Sequence, residues 1–306
     1  MGSRWPRRWP WLLLVSLLAA GCPHRPLPPP AQPALASVDF IAVGHGDAIL
    51  VSSAAGKRLL IDGGEAQAAT TVLALLRERQ ACPLDLILLT HPHADHVGGL
   101  LRVVESCGAR QVMDGGYPHA SQIYNRLLAM LEERGLPLLR AEIGRRIDLG
   151  TGVVLTLSGP PQPFLESGSE GVNASSVVSR LAVGGTSVLF AGDATAAEEA
   201  WLLGLGTPLR STVLKVGHHG SRASSSRPFL AAVSPRLAVV SNQADAPKHP
   251  HPETLARLAE VGAQVVETAR EGNIHLELDG GTVAWSSASH TRDLTQAGAR
   301  PAEGRP

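Results

Sequence analysis

No stretch of the chain stays apolar for the roughly 20 residues that a membrane-spanning helix needs. The run Trp11 to Ala20 stops well short of that length. An excess of either charge is also missing, since 27 Lys and Arg offset 27 Asp and Glu. A protein that grips nucleic acid mainly by its phosphates carries a basic surplus, so the composition gives no support to strong non-specific DNA binding and leaves room only for local basic patches. Cysteine is scarce, with Cys22, Cys82 and Cys107 the complete set. What the 306 residues do have is 44% hydrophobic content, enough for a sizeable core in one large domain or two small ones.

Residues 1–21 read as an export signal, with Arg4, Arg7 and Arg8 ahead of the apolar run. Leu18-Ala19-Ala20-Gly21-Cys22 resembles the lipobox of bacterial lipoproteins, so Cys22 is the expected lipidation site, against an ordinary signal peptide or an uncleaved anchor. Residues 22–36 hold six prolines and are expected to form an extended, semi-rigid tether. The folded domain is expected over 37–286, and the polar segment 287–306 is expected to be a disordered tail.

The domain is organised around Leu84 to Gly99. Leu84 to Leu89 has the length of a buried strand, and Pro92 forbids its continuation. The following histidines therefore sit on the turn that leaves the strand. His91 and His93 are two apart and can point the same way, while Asp95 and His96 diverge as the chain begins to coil. That pattern suits two neighbouring metal ions better than one. Gly98 and Gly99 let the backbone pass close to the site before a helix starts near Leu100.

Other apolar runs end in the same way. Asp62 closes Arg58 to Ile61 and suits either a loop cap or a role orienting a ligand histidine. Asp193 follows Ser187 to Phe190, and His218-His219 follow Thr212 to Val216 between two glycines. Lys248-His249-Pro250-His251-Pro252 precedes a helix, so His249 and His251 either contact substrate or shape the turn. His119, alone in a loop, reads as a surface residue before it reads as a site residue. Cys82 precedes the central strand and Cys107 follows the next helix, which brings them to one end of that unit. Either a Cys82–Cys107 disulfide or two buried thiols is compatible with this.

The motifs Val43-Gly-His-Gly-Asp-Ala-Ile-Leu50, Leu60-Ile-Asp-Gly-Gly64, Leu89-Thr-His-Pro-His-Ala-Asp-His-Val-Gly-Gly99, Ala191-Gly-Asp193, Leu214-Lys-Val-Gly-His-His-Gly-Ser221 and His249-Pro-His-Pro252 span nearly the whole domain. In this order they resemble the metallo-β-lactamase superfamily, and within it the soluble hydrolase domain of ComEC-type DNA-uptake proteins. The resemblance implies an α/β fold, a single-domain four-layered αββα sandwich. It also implies that His91 and His93 bind one metal, Asp95 and His96 the other, that Asp193 bridges them, and that His219 completes the second site with His218 on the substrate. The two divalent ions are expected to be Zn²⁺ ahead of Mn²⁺, roughly 3.5–4 Å apart, activating a water. Asp95, Asp193 and His218 would then be catalytic, with Asp62, Asn173, Lys215 and His249 supporting ligands or touching substrate.

The chain departs from the pattern in two places. Asn173 and Ser176 stand where the superfamily usually supplies another histidine, and Ala42 and His45 stand where ComEC-like chains commonly have aspartate and glutamine. No multi-helix channel accompanies the motifs, so DNA transport is not expected of this chain itself. The implied activity is that of an exported, lipid-anchored phosphodiesterase or nuclease at the periplasmic face or cell surface. The alternatives are a lactonase or β-lactamase-type hydrolase and a non-catalytic surface binding protein. A phosphodiester or nucleic-acid substrate and the membrane, through Cys22, are the expected partners, and no protein partner is legible.

Overall fold

The computed structural model describes residues 1–2, 34–165, 168–244, 249–288 and 290–294. The expected signal segment beyond Gly2, Cys22 and most of the tether lie outside these residues, as do residues 295–306.

Six strands open the first sheet: β1 (Ala36–Phe40), β2 (Ile49–Ser53), β3 (Arg58–Ile61), β4 (Leu86–Leu89), β5 (Val112–Asp114) and β6 (Leu138–Arg140). The chain then builds a second sheet from β7 (Arg146–Asp148), β8 (Val153–Leu157), β9 (Ser179–Val183), β10 (Thr186–Phe190), β11 (Val213–Lys215), β12 (Leu237–Val240) and β13 (Gln264–Glu267). It returns to the first sheet as β14 (Ile274–Leu278), β15 (Val283–Ser286) and β16 (Thr291–Asp293). The strand orders are β16-β15-β14-β1-β2-β3-β4-β5-β6 and β13-β12-β11-β10-β9-β8-β7.

Three apolar layers separate four layers of structure. Phe40, Ile61 and Leu88 of the first sheet pack against Leu155, Phe190 and Val239 of the second. On the outer side of the first sheet, Leu60 and Ile87 lie under the helices α1 (Ala69–Glu78), α2 (Ala94–Val97), α3 (Leu100–Ser106) and α4 (Gln122–Glu133), whose Val72, Leu76, Val97, Val103 and Leu127 complete the layer. A short α5 (Gly168–Asn173) precedes β9. On the outer side of the second sheet, Leu189, Leu214 and Val240 lie under α6 (Ala196–Leu205), α7 (Arg227–Val233) and α8 (Pro252–Glu260). This is an α/β sandwich of the αββα kind. It explains why β4 reads Leu-Ile-Leu-Leu without alternation: both of its faces are covered.

β3, β4, β5 and β6 run parallel, and so do β10, β11, β12 and β13. In a parallel set all carboxyl ends lie at one edge, which is where ligands bind in α/β sheets. Asp62, His91, Asp193, His218 and His219 all follow the ends of such strands.

The sheet extends beyond the expected domain limits at both ends. It starts at Ala36, one residue before the expected boundary, and β16 pairs with β15 in the segment expected to be a disordered tail. Leu294 is buried at 3% exposure, which is what keeps that short polar strand against the sheet.

Cys82 and Cys107 are joined by a disulfide with Cα atoms 5.0 Å apart, beside the bridge between Leu84 and Ala109. In denaturant, a Cys22→Ser variant should titrate no thiol before reduction and two after it. Two reactive thiols without reductant would contradict the bond.

Candidate metal centre

The site is assembled from loops at the carboxyl edges of both sheets. β4 delivers Thr90 and His91, His93 precedes the first turn of α2, and that turn presents Asp95 and His96. β10 delivers Asp193. The loop after β11 delivers His218 and His219, both in the left-handed region with φ of 46° and 53°. Side chains with a Cβ pay for that conformation in strain, which is tolerated where a site needs it. Close backbone approach holds the loops together: Gly46 has φ 111°, and a Cβ there would sit 2.0 Å from the Asp95 carbonyl oxygen.

One carboxylate oxygen is the hub. Asp193 Oδ2 lies 3.5 Å from His96 Nε2, 3.5 Å from His219 Nε2, and 3.8 Å from both His91 Nε2 and His218 Nε2. Asp95 Oδ2 lies 3.4 Å from His219 Nε2 and 3.7 Å from His96 Nε2. Ligand atoms of Asp95, His96, Asp193 and His219 all fall within 4.8 Å of one another. Next to this group His91 Nε2 and His93 Nδ1 approach to 3.1 Å.

The tautomers follow from the second partner of each ring. Asp62 accepts hydrogen bonds from the Thr90 N–H and hydroxyl, both at 2.7 Å, and its Oδ2 lies 2.7 Å from His96 Nδ1. A carboxylate only accepts, so His96 carries its proton on Nδ1 and turns Nε2 to the hub. The Thr90 hydroxyl, having donated to Asp62, accepts from His91 Nδ1 at 3.0 Å, which frees His91 Nε2. His219 Nδ1 lies 3.1 Å from the Ser241 carbonyl, which again leaves Nε2 for the site. Asp62 thus orients one histidine directly and another through Thr90.

The electrostatics call for a cation. Burial works against charge on His96, yet Asp193, Asp95 and Asp62 hold its imidazolium well above the ordinary histidine range. Burial raises an isolated carboxyl, but His219 and His96 hold Asp193 well below the usual carboxylate range. His91 is driven the other way by burial and the neighbouring His96, and stays neutral as a metal ligand must. Buried His96 Nε2, His219 Nε2 and Asp193 Oδ1 have no hydrogen-bond partner among the described residues. Unpaired buried polar atoms are costly, and imidazoles converging with carboxylates are the donor set of Zn²⁺ and similar divalent ions. The residues present therefore fit a metal.

The remaining sequence candidates fall differently. His249 and His218 have ring centroids 5.6 Å apart, and His249 is stacked 6.2 Å from His45. Lys215 is not available to a phosphate: fully buried, its Nζ pairs with Asp47 Oδ2 at 2.5 Å and donates to the Gly192 carbonyl at 3.4 Å. Asn173 is buried at the end of α5 with Oδ1 unpartnered, while Ser176 supports the hub by accepting the Asp193 N–H at 3.0 Å.

Three residues join the site without a clear signal in the sequence. Asp47 forms the buried pair with Lys215, His45 Nε2 lies 3.3 Å from Asp95 Oδ2, and His119, expected at the surface, packs edge-on to His93 at 5.7 Å. A lone lysine inside the apolar run Val213 to Val216 was the available clue, since such a charge needs a buried partner.

Fold and site together define a metal-dependent hydrolase. The chain belongs to the metallo-beta-lactamase superfamily, whose family model matches residues 41–243. It is 31% identical over 284 residues to Competence protein ComA of Neisseria gonorrhoeae, an alignment covering 90% of this chain and 36% of that protein. It is 25% identical over 280 residues to ComE operon protein 3 of Bacillus subtilis (strain 168), covering 85% and 35%. The chain thus spans about a third of the length of these curated relatives. Among solved structures, CmlA, a diiron beta-hydroxylase from Streptomyces venezuelae, aligns with a TM-score of 0.52 at 18% identity, over 81% of this chain and 55% of that one. That likeness concerns the fold alone.

Proposed function

We propose that the chain is a metal-dependent phosphodiesterase acting on nucleic acid or a related phosphodiester outside the cytoplasm, anchored through a lipidated Cys22. The observation that carries the substrate class is the group of three imidazoles, His45, His218 and His249, beside the carboxylate-rich centre. Burial and the adjacent His218 push His249 down to about 4, so it is a neutral hydrogen-bond donor at working pH. Nδ1 of His218 and of His249 are both buried with no hydrogen-bond partner among the described residues. Several imidazole donors suit the two non-bridging oxygens of a phosphodiester, whereas a lactam or lactone carbonyl develops charge on a single oxygen. The similarity to Competence protein ComA supports the same reading.

His91, His93 and Asp193 would hold one divalent ion, and Asp95, His96, Asp193 and His219 the other, with Zn²⁺ ahead of Mn²⁺. Ions held there would supply positive charge that acidifies water and offsets the negative charge growing on the phosphoryl and leaving oxygens. The protein's own part is positional. Asp95 orients the nucleophile, His218 and His249 bind the non-bridging oxygens, and Asp62 keeps His96 and His91 turned inward. Export is supported by Arg4, Arg7 and Arg8 ahead of the apolar run and by the disulfide, a bond of oxidising compartments.

Purified protein loaded with Zn²⁺ or Mn²⁺ should hydrolyse bis(p-nitrophenyl) phosphate and cleave single-stranded DNA, and His219→Ala should do neither. Hydrolysis of a lactone or β-lactam with both phosphodiesters left intact would overturn the reading.

A further inference from the structure

The outer face of the second sheet is only partly roofed. Helices α6, α7 and α8 cover β10 to β12, while β8 and β9 each alternate buried and half-exposed residues, the mark of a strand open on one side. On that open face the pairing register sets Arg146 of β7 opposite Thr156 of β8, and Thr156 opposite Arg180 of β9. Two arginines therefore share one row across neighbouring strands, with a hydroxyl between them.

Two hollows, of about 300 Å³ and about 470 Å³, meet at Arg180 and Pro208. Arg146 lines the larger, and Arg210 and Arg236 line the smaller. Among the described residues no carboxylate lines either hollow, while serine and threonine hydroxyls such as Thr156, Ser187 and Thr212 contribute to the walls. Asp148, the next outward residue on β7, uses its carboxylate to cap the Gly150 N–H.

None of the four guanidiniums makes an ion pair among the described residues. Arg180 donates only from Nε, to the Arg210 carbonyl at 3.0 Å and the Ser211 hydroxyl at 3.2 Å, and Arg236 donates to the Leu294 carbonyl. The chain as a whole is neutral, so four unneutralised arginines along one groove are a local departure from its composition. Guanidiniums gathered along one groove repel one another, and partial burial adds a desolvation cost at Arg180. An anionic ligand relieves both.

We propose that this groove binds a strand of nucleic acid by its phosphates, as an anchoring site separate from the metal centre. Planar guanidiniums beside hydroxyls match phosphate oxygens, and a concave, continuous groove accommodates a chain better than the flat surface of a bilayer. The groove borders the amino-terminal starts of β10, β11 and β12 through Ser187, Thr212 and Arg236, whereas the metal site lies at their carboxyl ends. The inference rests on the reading of the substrate as nucleic acid.

Fluorescence anisotropy with a labelled single-stranded 20-mer, in EDTA so that no cleavage intervenes, tests it. The triple variant Arg180→Ala/Arg210→Ala/Arg236→Ala should bind at least tenfold more weakly, and its slope of log K against log salt should be shallower by about 2, at about 0.7 per lost contact. The corresponding triple lysine variant should retain most of the affinity, and both should hydrolyse bis(p-nitrophenyl) phosphate at the wild-type rate. Unchanged oligonucleotide binding by the alanine variant would overturn the proposal, as would a loss confined to binding of anionic phosphatidylglycerol vesicles. Arginine-dependent oligonucleotide binding by a protein that hydrolyses no phosphodiester would sustain the groove and overturn the catalytic reading instead.

Discussion

Asp193→Ala should lower hydrolysis by about three orders of magnitude and cut the metal retained per chain by half or more. The site's charge stabilisation is worth several kcal/mol, and each ~1.4 kcal/mol is tenfold in rate. The reason for choosing this residue is geometric: its Oδ2 lies within 3.8 Å of four imidazole nitrogens, from His91 and His96 on one sheet's loops and His218 and His219 on the other's. No other carboxylate among the described residues reaches both sets so evenly. Asp193→Asn keeps the shape and removes the charge, and should lose metal as well. Elemental analysis after dialysis, with a steady-state assay on the same sample, reads both effects. A variant that kept its full metal content and remained within tenfold of wild-type activity would remove Asp193 from the centre.

Lys215→Met should lower the melting temperature by roughly 10 °C, because removing one partner of a buried ion pair costs about 3–5 kcal/mol. Lys215 has no exposed side-chain surface and Asp47 is 2% exposed, so water cannot take over the role of the missing ammonium. The abandoned carboxylate would sit 3.9 Å from His219 Nδ1, with its Oδ1 already lacking a hydrogen bond. The double variant Lys215→Met/Asp47→Leu removes both charges and should recover most of the loss. Differential scanning calorimetry of the two variants decides the matter. A single variant melting within about 2 °C of wild type would mean that the pair contributes little.

The ligands were legible in the sequence because each follows a short apolar run. A strand end followed within a few residues by histidine or aspartate places a donor at a sheet edge, and His91, Asp193 and His219 all share that signature. The layers were legible for the same reason: β4 is apolar throughout and demands cover on both faces. What escaped was set by distant partners. Lys215 stands beside the histidine motif and invites a phosphate, but Asp47, in a glycine-rich loop 168 residues earlier, already neutralises it. His119 approaches His93 through the path of the Gly115-Gly116 loop, which no local periodicity records. β16 is three polar residues long, too short for any alternation to show, and its place depends on pairing with β15 and on the burial of Leu294.

The division of the hub between two sheets has a consequence for how the molecule holds together. His91, His93, Asp95 and His96 belong to loops of the nine-stranded sheet, and Asp193 and His219 to loops of the seven-stranded one. A divalent ion shared among them would be a clasp across the seam. Its binding free energy becomes cohesion between the halves, about 2.7 kcal/mol when the free ion stands at 100 times its dissociation constant. A chain that folds before meeting its metal would therefore finish consolidating only where that metal is found, and the local supply of the ion would set how long the sandwich lasts.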